Sequence, residues 1–252
     1  AGLVYSDLRR VDALGEVRAE TLWEGRRNNH TNLASLLISN TIPGAACLFR
    51  RHVIDRALPF PDGPGWDFHD HWLALTAMAL GEVAYVDRPL YDYVQHPRAV
   101  LGRVVSDEGP SPRPKPPRRR APLAGQRDRF SRWRSAYFSL YLQRELQAQV
   151  LLARCEPDLT QRKRRALRLL VAAGRSPLAF AWLATRPVRA LVGLNETLRV
   201  EQIMVRGVLW RHLIVPRTRG RDRPGRSEDD ARMPPVDPAS LGPRQRRWLA
   251  RR

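Results

Sequence analysis

Cysteine and long apolar runs are scarce in this chain of 252 residues, and each of these shortages excludes a class of protein. The two cysteines, Cys47 and Cys155, are too few and too far apart for a disulfide framework or a zinc site, which favours a reducing compartment. No apolar run reaches the roughly 18 residues that a predicted transmembrane helix needs. No internal repeat is present, which excludes a solenoid.

The beginning of the chain lacks a methionine and a leader. A hydrophobic segment, Leu3–Tyr5, follows Ala1 almost at once, and no basic-then-apolar signal segment stands before it. We therefore expect residue 1 to be a cut or a mis-called start.

Positive charge is abundant but unevenly distributed. Residues 1–100 hold 10 Lys/Arg and 12 Asp/Glu, a net charge of −2, whereas residues 101–252 hold 34 and 13, a net charge of +21. Only Lys115 and Lys163 are lysines, and such an arginine bias is typical of a GC-rich genome. The bias therefore gives little support to the idea that the arginines were selected to bind phosphates.

Composition and periodicity predict four segments. Residues 1–102 are α/β, residues 103–128 form a linker with six prolines, residues 129–215 are a basic helical region, and residues 216–252 are a disordered tail. The predicted strands are 2–6, 45–49, 83–86 and 90–94, with 11–20 as a loop or irregular hairpin. The predicted helices are 31–40, 51–57, 69–80, 130–153, 160–173, 176–185 and 197–215.

Three motifs follow one another in the α/β segment: Asn40–Arg51 with its Pro-Gly turn, Phe68–Trp72 with an acidic residue among aromatics and histidines, and Arg88–His96. Their order and spacing resemble the second half of a family 2 glycosyltransferase of the GT-A type, closest to the rhamnosyltransferase-like bacterial members. The resemblance covers about residues 1–100 and implies an incomplete GT-A (Rossmann-like) half-domain. The half that would hold the nucleotide and a metal-binding Asp-x-Asp has no counterpart in this sequence.

Asp70 is the residue that the resemblance identifies as the general base, which removes the proton from the attacking acceptor hydroxyl. From its position alone, an N-cap is the favoured interpretation of Asp70, because aspartate is common where a helix begins and caps outnumber catalytic residues. Its neighbours His69, His71 and Trp72 favour the functional interpretation.

His96 occupies the place of a late histidine that, in many GT-A enzymes, helps to hold the metal bridging the donor's two phosphates. The resemblance thus implies a divalent cofactor, Mn²⁺ or Mg²⁺, because a neutral imidazole binds such metals. A surface histidine after a strand is the structural alternative. No third ligand lies near His69 and His71, so a metal site formed by those two is not expected.

The remaining candidate residues are predicted to contact substrate: Gly44, Ala45, Arg50, Trp66 and His69. Glycine permits close backbone approach, and the family's glycine-containing loop borders the donor and acceptor pocket. An ordinary turn before a core strand is the alternative.

Two further residues are assigned structural roles. Asp7 does not belong to an Asp-x-Asp, because position 9 is arginine. Trp72 is expected in the core, because positions 72, 73, 76 and 80 form an apolar helix face.

Three functions stay open at this point. The first is an inverting glycosyltransferase that moves a sugar from a nucleotide-sugar donor to a cell-envelope polysaccharide or lipid-linked acceptor, and is inactive as this chain alone. The second is a non-catalytic basic helical protein that binds an anionic membrane or nucleic acid, although no helix-turn-helix, zinc finger or ribonucleoprotein motif supports nucleic acid. The third is an inactive remnant. We expect a cytoplasmic location, with peripheral contact to the inner face of the membrane as an option.

Overall fold

The computed structural model describes residues 1–61, 69–94 and 122–214, with side chains described except at 122–128 and 214. The fold is mixed α/β, as predicted. Four strands form the sheet: β1 (Leu3–Val11), β2 (Val17–Ala19), β3 (Cys47–Phe49) and β4 (Val83–Val94). The helices are α1 (Leu33–Ile38), α2 (Arg51–Ala57), α3 (His69–Leu80), α4 (Pro122–Ala136), α5 (Leu142–Cys155), α6 (Gln161–Ala172), α7 (Pro177–Thr185) and α8 (Val200–Ile214).

Strand β1 is the centre of the sheet. One of its edges pairs along its whole length with β4 in parallel, from Leu3 opposite Val83 to Val11 opposite Val94. The other edge pairs antiparallel with β3 near its start and with β2 near its end. The prediction of two separate strands at 83–86 and 90–94 was wrong. One strand runs through both, and register shifts around Asp7 accommodate Pro89, which cannot donate to a ladder.

The predicted strand at 45–49 is shorter than expected. Residues Gly44–Ala46 form a turn of 3₁₀ helix, and the strand begins only at Cys47. Ala45 therefore lies in the turn, and not in the sheet. The predicted irregular hairpin at 11–20 is confirmed, with Gly15 at a positive φ of 87° in its turn.

Helix α3 contributes a long buried stretch to the α/β part. Nine consecutive residues, His71 to Ala79, are buried, and the helix contacts the sheet, α1, α2 and α5. Trp72 is 2% exposed and donates from its indole nitrogen to the carbonyl oxygen of Ala57 at 3.0 Å, which confirms its predicted place in the core.

The helical region packs on the α/β part, and the two share one hydrophobic core. This core includes Leu3 and Leu36 from the first part and Tyr141, Leu167 and Val208 from the second. The predicted helix at 130–153 is part of a longer run, α4 and α5 joined by a π-helical turn at Tyr137–Tyr141. Of the predicted linker at 103–128, residues 103–121 lie outside the described residues, and the prediction was wrong for 122–128, where helix α4 begins at Pro122. The predicted tail at 216–252 lies wholly outside the described residues.

Candidate active site around Asp70

Gly44 and Asp70, which are 26 positions apart in sequence, lie against each other in the structure. A methyl group at Gly44 would stand 2.9 Å from Cβ of Asp70, closer than real side chains approach. The absence of a side chain at Gly44 therefore lets the first turn of α3 approach the 3₁₀ turn.

The carboxylate of Asp70 is half-buried and oriented by two neutral donors. Its Oδ1 accepts a hydrogen bond from the backbone N–H of His71 at 2.7 Å, and its Oδ2 accepts one from Nδ2 of Asn40 at 3.3 Å. Within residues 1–61, 69–94 and 122–214, no basic side chain forms an ion pair with it. The carboxylate is thus held in one orientation while its remaining lone pairs are available to an incoming proton.

An N-cap role does not describe this arrangement. Helix α3 begins at His69, so Asp70 lies inside its first turn. An N-cap side chain accepts from the amides two or three residues further on, whereas Asp70 accepts from the next residue and from Asn40. A carboxylate in the first turn is still favoured by the helix dipole.

Cys47 lies near Asp70, and Tyr91 lies near Cys47. Burial raises the pKa of the Cys47 thiol to about 12, with a smaller contribution from the negative charge of Asp70, so the thiol stays protonated. Burial also raises the pKa of Tyr91 well above its usual value, and the neighbouring Cys47 raises it further by a smaller amount. The Tyr91 hydroxyl is buried and has no hydrogen-bond partner among the described residues.

Asn40 is held in place by an arginine that reaches it from the loop before α1. Arg26 donates to the carbonyl oxygen of Asn40 at 3.1 Å, to the hydroxyl of Ser39 at 3.0 Å and to the carbonyl oxygen of Glu196 at 3.1 Å. Burial lowers the pKa of Arg26 to about 10, so it remains charged at neutral pH. One half-buried cation thus links the helical region to the residue that orients Asp70.

His71 anchors the other side of the first turn of α3. It is fully buried, its Nε2–H donates to the carbonyl oxygen of Leu36 at 2.7 Å, and its Nδ1 accepts from Arg144 at 3.3 Å. Burial, and then the positive charge of Arg144, lower the pKa of His71 to about 3. The imidazole is therefore neutral near pH 7, and it connects α1, α3 and α5.

The other predicted site residues are exposed or lie outside the described residues. Ala45 is exposed beside Gly44, and His69 is exposed at the start of α3. Arg50 is exposed just after β3, and no contact between it and Asp70 is found. Trp66 and His96 lie outside the described residues.

Asp7 has the structural role that the sequence predicts. It is buried, and its carboxylate accepts hydrogen bonds from the backbone amides of Leu8 and Leu22 and from the hydroxyl of Thr21. Asp7 thereby fastens the loop after β2 to the middle of β1.

The sequence alone predicts no role for Asn40, Arg26 or Tyr91. Asn40 stands at the head of the Pro-Gly motif, and an amide next to such a turn is a usable signal. Tyr91 lies in the aromatic alternation of the Arg88–His96 motif. For Arg26 no local signal exists, because two of its partners belong to the next helix end and one to a segment 170 positions away.

A metal site is not formed by the part of the chain that the structure describes. No group of three or more His, Cys, Asp or Glu that could hold a metal ion occurs there. Since His96 lies outside that part, its predicted role as a metal ligand stays a prediction.

Compared with protein-family models, with curated proteins and with solved structures, the chain matches none.

Proposed function

We propose that this chain provides the acceptor side of an inverting glycosyltransferase of family 2, with the GT-A half-domain at residues 1–102. The observation that carries the proposal is the carboxylate of Asp70, held by Asn40 and the backbone of His71 against the side-chain-free surface of Gly44. The order of the three sequence motifs supports the same function.

In the proposed reaction, Asp70 takes the proton from an acceptor hydroxyl as the hydroxyl oxygen attacks the anomeric carbon of the donor sugar. The new C–O bond forms on the face opposite the leaving group, and the bond between the anomeric carbon and the nucleoside diphosphate breaks. The diphosphate departs with the bonding electron pair. The acceptor is a glycan or a lipid-linked saccharide of the cell envelope.

Donor binding is expected to need residues other than these. The 252-residue sequence contains no Asp-x-Asp, the pair that in the resembled family holds the metal and the donor diphosphate. We therefore expect no turnover of any nucleotide sugar by this chain alone. Mn²⁺ or Mg²⁺, with His96 as one ligand, is part of the proposal.

The test uses the longest natural reading frame that contains these residues. Asp70→Asn should lower kcat by about 10²–10⁴-fold, the usual contribution of a general base, and leave donor affinity and melting temperature close to the parent's. Asp55→Asn is the matched control, because Asp55 is an exposed aspartate on the neighbouring helix α2 and, among the described residues, forms an ion pair with Arg51 alone. Release of nucleoside diphosphate in the presence of acceptor is the measurement. If Asp70→Asn retains activity within tenfold of the parent, Asp70 is not the base.

A further inference from the structure

An apolar ridge runs along the helical segment Pro177–Val192, which consists of α7 and the 3₁₀ helix Arg186–Val192 that continues it. Leu178 is 83% exposed, Leu191 78% and Val192 72%, and Val188 is also exposed. Large aliphatic side chains that stand in a row on a surface mark an interaction site more often than singly scattered ones do. We call Leu178, Ala181, Val188, Leu191 and Val192 the ridge.

The ridge is the solvent-exposed face of this helical segment. Positions 178, 181, 188 and 191 recur at helical spacing, and Ala179, Leu183 and Arg186 on the opposite face are buried in the protein. The face opposite the ridge is therefore already packed inside the protein. The half-buried Trp182 lies between the two faces, with the guanidinium of Arg186 5.2 Å from its ring centre.

Arginines from α6 stand beside the ridge. Leu178 and three of these arginines, Arg164, Arg165 and Arg168, line one groove of about 580 Å³ between α6 and α7. Helix α6 carries five basic residues and no acidic one. Arg164 and Arg168 interact with Glu156, whereas Arg162 and Arg165 are exposed and form no ion pair with any described residue.

We infer that this face docks on an anionic membrane surface, with the ridge in the lipid interface and the α6 arginines on the headgroups. Residues 101–252 carry a net charge of +21, which makes an anionic partner the complementary one. A surface helix that combines aliphatic and arginine side chains binds lipid by apolar burial together with electrostatic attraction. Membrane docking does not involve the Asp70 site, and its test is independent of glycosyl transfer.

Other occupants fit the ridge less well. Nucleic acid would satisfy the arginines but would leave the aliphatic side chains without a partner, because bases stack on aromatic rings. A second copy placed across a two-fold axis would bring like-charged α6 helices together. Among the described residues no single helix is long and apolar enough to cross a membrane, and only α6 together with Pro177–Val192, bent by 110°, meets that test.

The experiment is flotation of the full chain with vesicles of phosphatidylcholine alone or with about one third phosphatidylglycerol, at low and at 1 M salt. We expect retention on the anionic vesicles at low salt and release at 1 M, where the screening length is about 3 Å. Release by alkaline carbonate is also expected, since the segment lies on the bilayer. A protein that resists carbonate extraction would overturn surface docking in favour of insertion.

Two double variants test the two components separately. Arg162→Gln with Arg165→Gln should weaken partitioning about 25-fold, because each charge near an anionic surface contributes about fivefold. Its control is Arg27→Gln with Arg88→Gln, two exposed arginines of the α/β part whose side chains form no ion pair with a described residue. Leu178→Gln with Leu191→Gln should weaken partitioning at least about tenfold. Its control is Leu14→Gln with Leu90→Gln, at two exposed leucines far from α7 in sequence.

Several results would overturn the inference. Equal retention on neutral and anionic vesicles would show that the arginines do not contribute to binding. Unchanged vesicle binding by the Leu178/Leu191 variant would show that the ridge does not contribute. Binding to DNA that exceeds binding to anionic vesicles would assign the charge to nucleic acid. A dimer in solution that the same leucine substitutions dissociate, without vesicle binding, would assign the ridge to a second copy.

Discussion

Moderate acid should destabilise this protein, and His71 should account for a defined part of the loss. The imidazole is buried between α1, α3 and α5, where it donates to Leu36 and accepts from Arg144. Protonation would place a second positive charge beside the Arg144 guanidinium and remove the acceptor at Nδ1. The folded protein therefore keeps His71 neutral, whereas the unfolded chain takes up a proton at the ordinary pKa of histidine.

The size of the effect follows from the pKa difference. The ordinary value is 6.5 and the folded value is about 3, so the unfolded state binds more protons between these limits. Stability is then fully present above about pH 6.5 and falls as the pH drops toward 3. Each pH unit in this window costs about 1.4 kcal/mol, which amounts to about 2 kcal/mol at pH 5.

Urea unfolding followed by tryptophan fluorescence at pH 7, 6 and 5 measures the loss, because Trp72 next to His71 is buried. A His71→Gln variant provides the comparison, since glutamine retains a donor and an acceptor but does not titrate. The variant should start less stable at pH 7 and lose less stability on acidification. His30, whose pKa burial also lowers, titrates in both proteins and therefore cancels in the difference.

Parallel stability curves for the two proteins between pH 7 and pH 5 would refute this reasoning. If the glutamine variant does not fold, histidine NMR on the parent decides the matter, because His71 should remain neutral down to about pH 4. A His71 midpoint near 6.5 in the folded protein would equally refute it.

Two further substitutions probe the support of Asp70. Gly44→Ala should destabilise the protein by about 1–3 kcal/mol and displace Asp70, because the added methyl group meets Cβ of Asp70. Gly81→Ala is the control, because the space around Gly81 is open, and it should leave the melting temperature nearly unchanged. Equal melting temperatures for the two variants would contradict the close approach. Arg26→Met should cost up to about 1–3 kcal/mol for each partly buried carbonyl left unpaired, measured by urea unfolding. Substitution of the exposed neighbour, Arg27→Met, should cost little. If the two methionine variants unfold at the same urea concentration, Arg26 does not support the Asn40 loop.

Local chemistry in the sequence determined several elements to the residue. The limits of α2 and α3 agree with their predictions, and Ser176 and Thr160 cap α7 and α6 with their side chains. Each of these features depends on residues within a few positions of one another, such as an apolar period or a capping hydroxyl. The sequence also brought the glycine motif and Asp70 into one hypothesis through their order along the chain.

Other features depend on contacts between residues far apart in the chain, and only the tertiary structure decided them. Strand β4 is a single strand because it pairs with β1 along the whole length of β1. No pattern within residues 83–94 predicts that pairing. Arg26 reaches Glu196, and Arg144 reaches His71, because the helical region packs on the α/β part. Composition separates these regions by charge, whereas burial of their apolar faces joins them in one core. The apolar pattern of a helix fixes which face is buried but not what covers it, and for that reason the support of Asp70 became visible only in three dimensions.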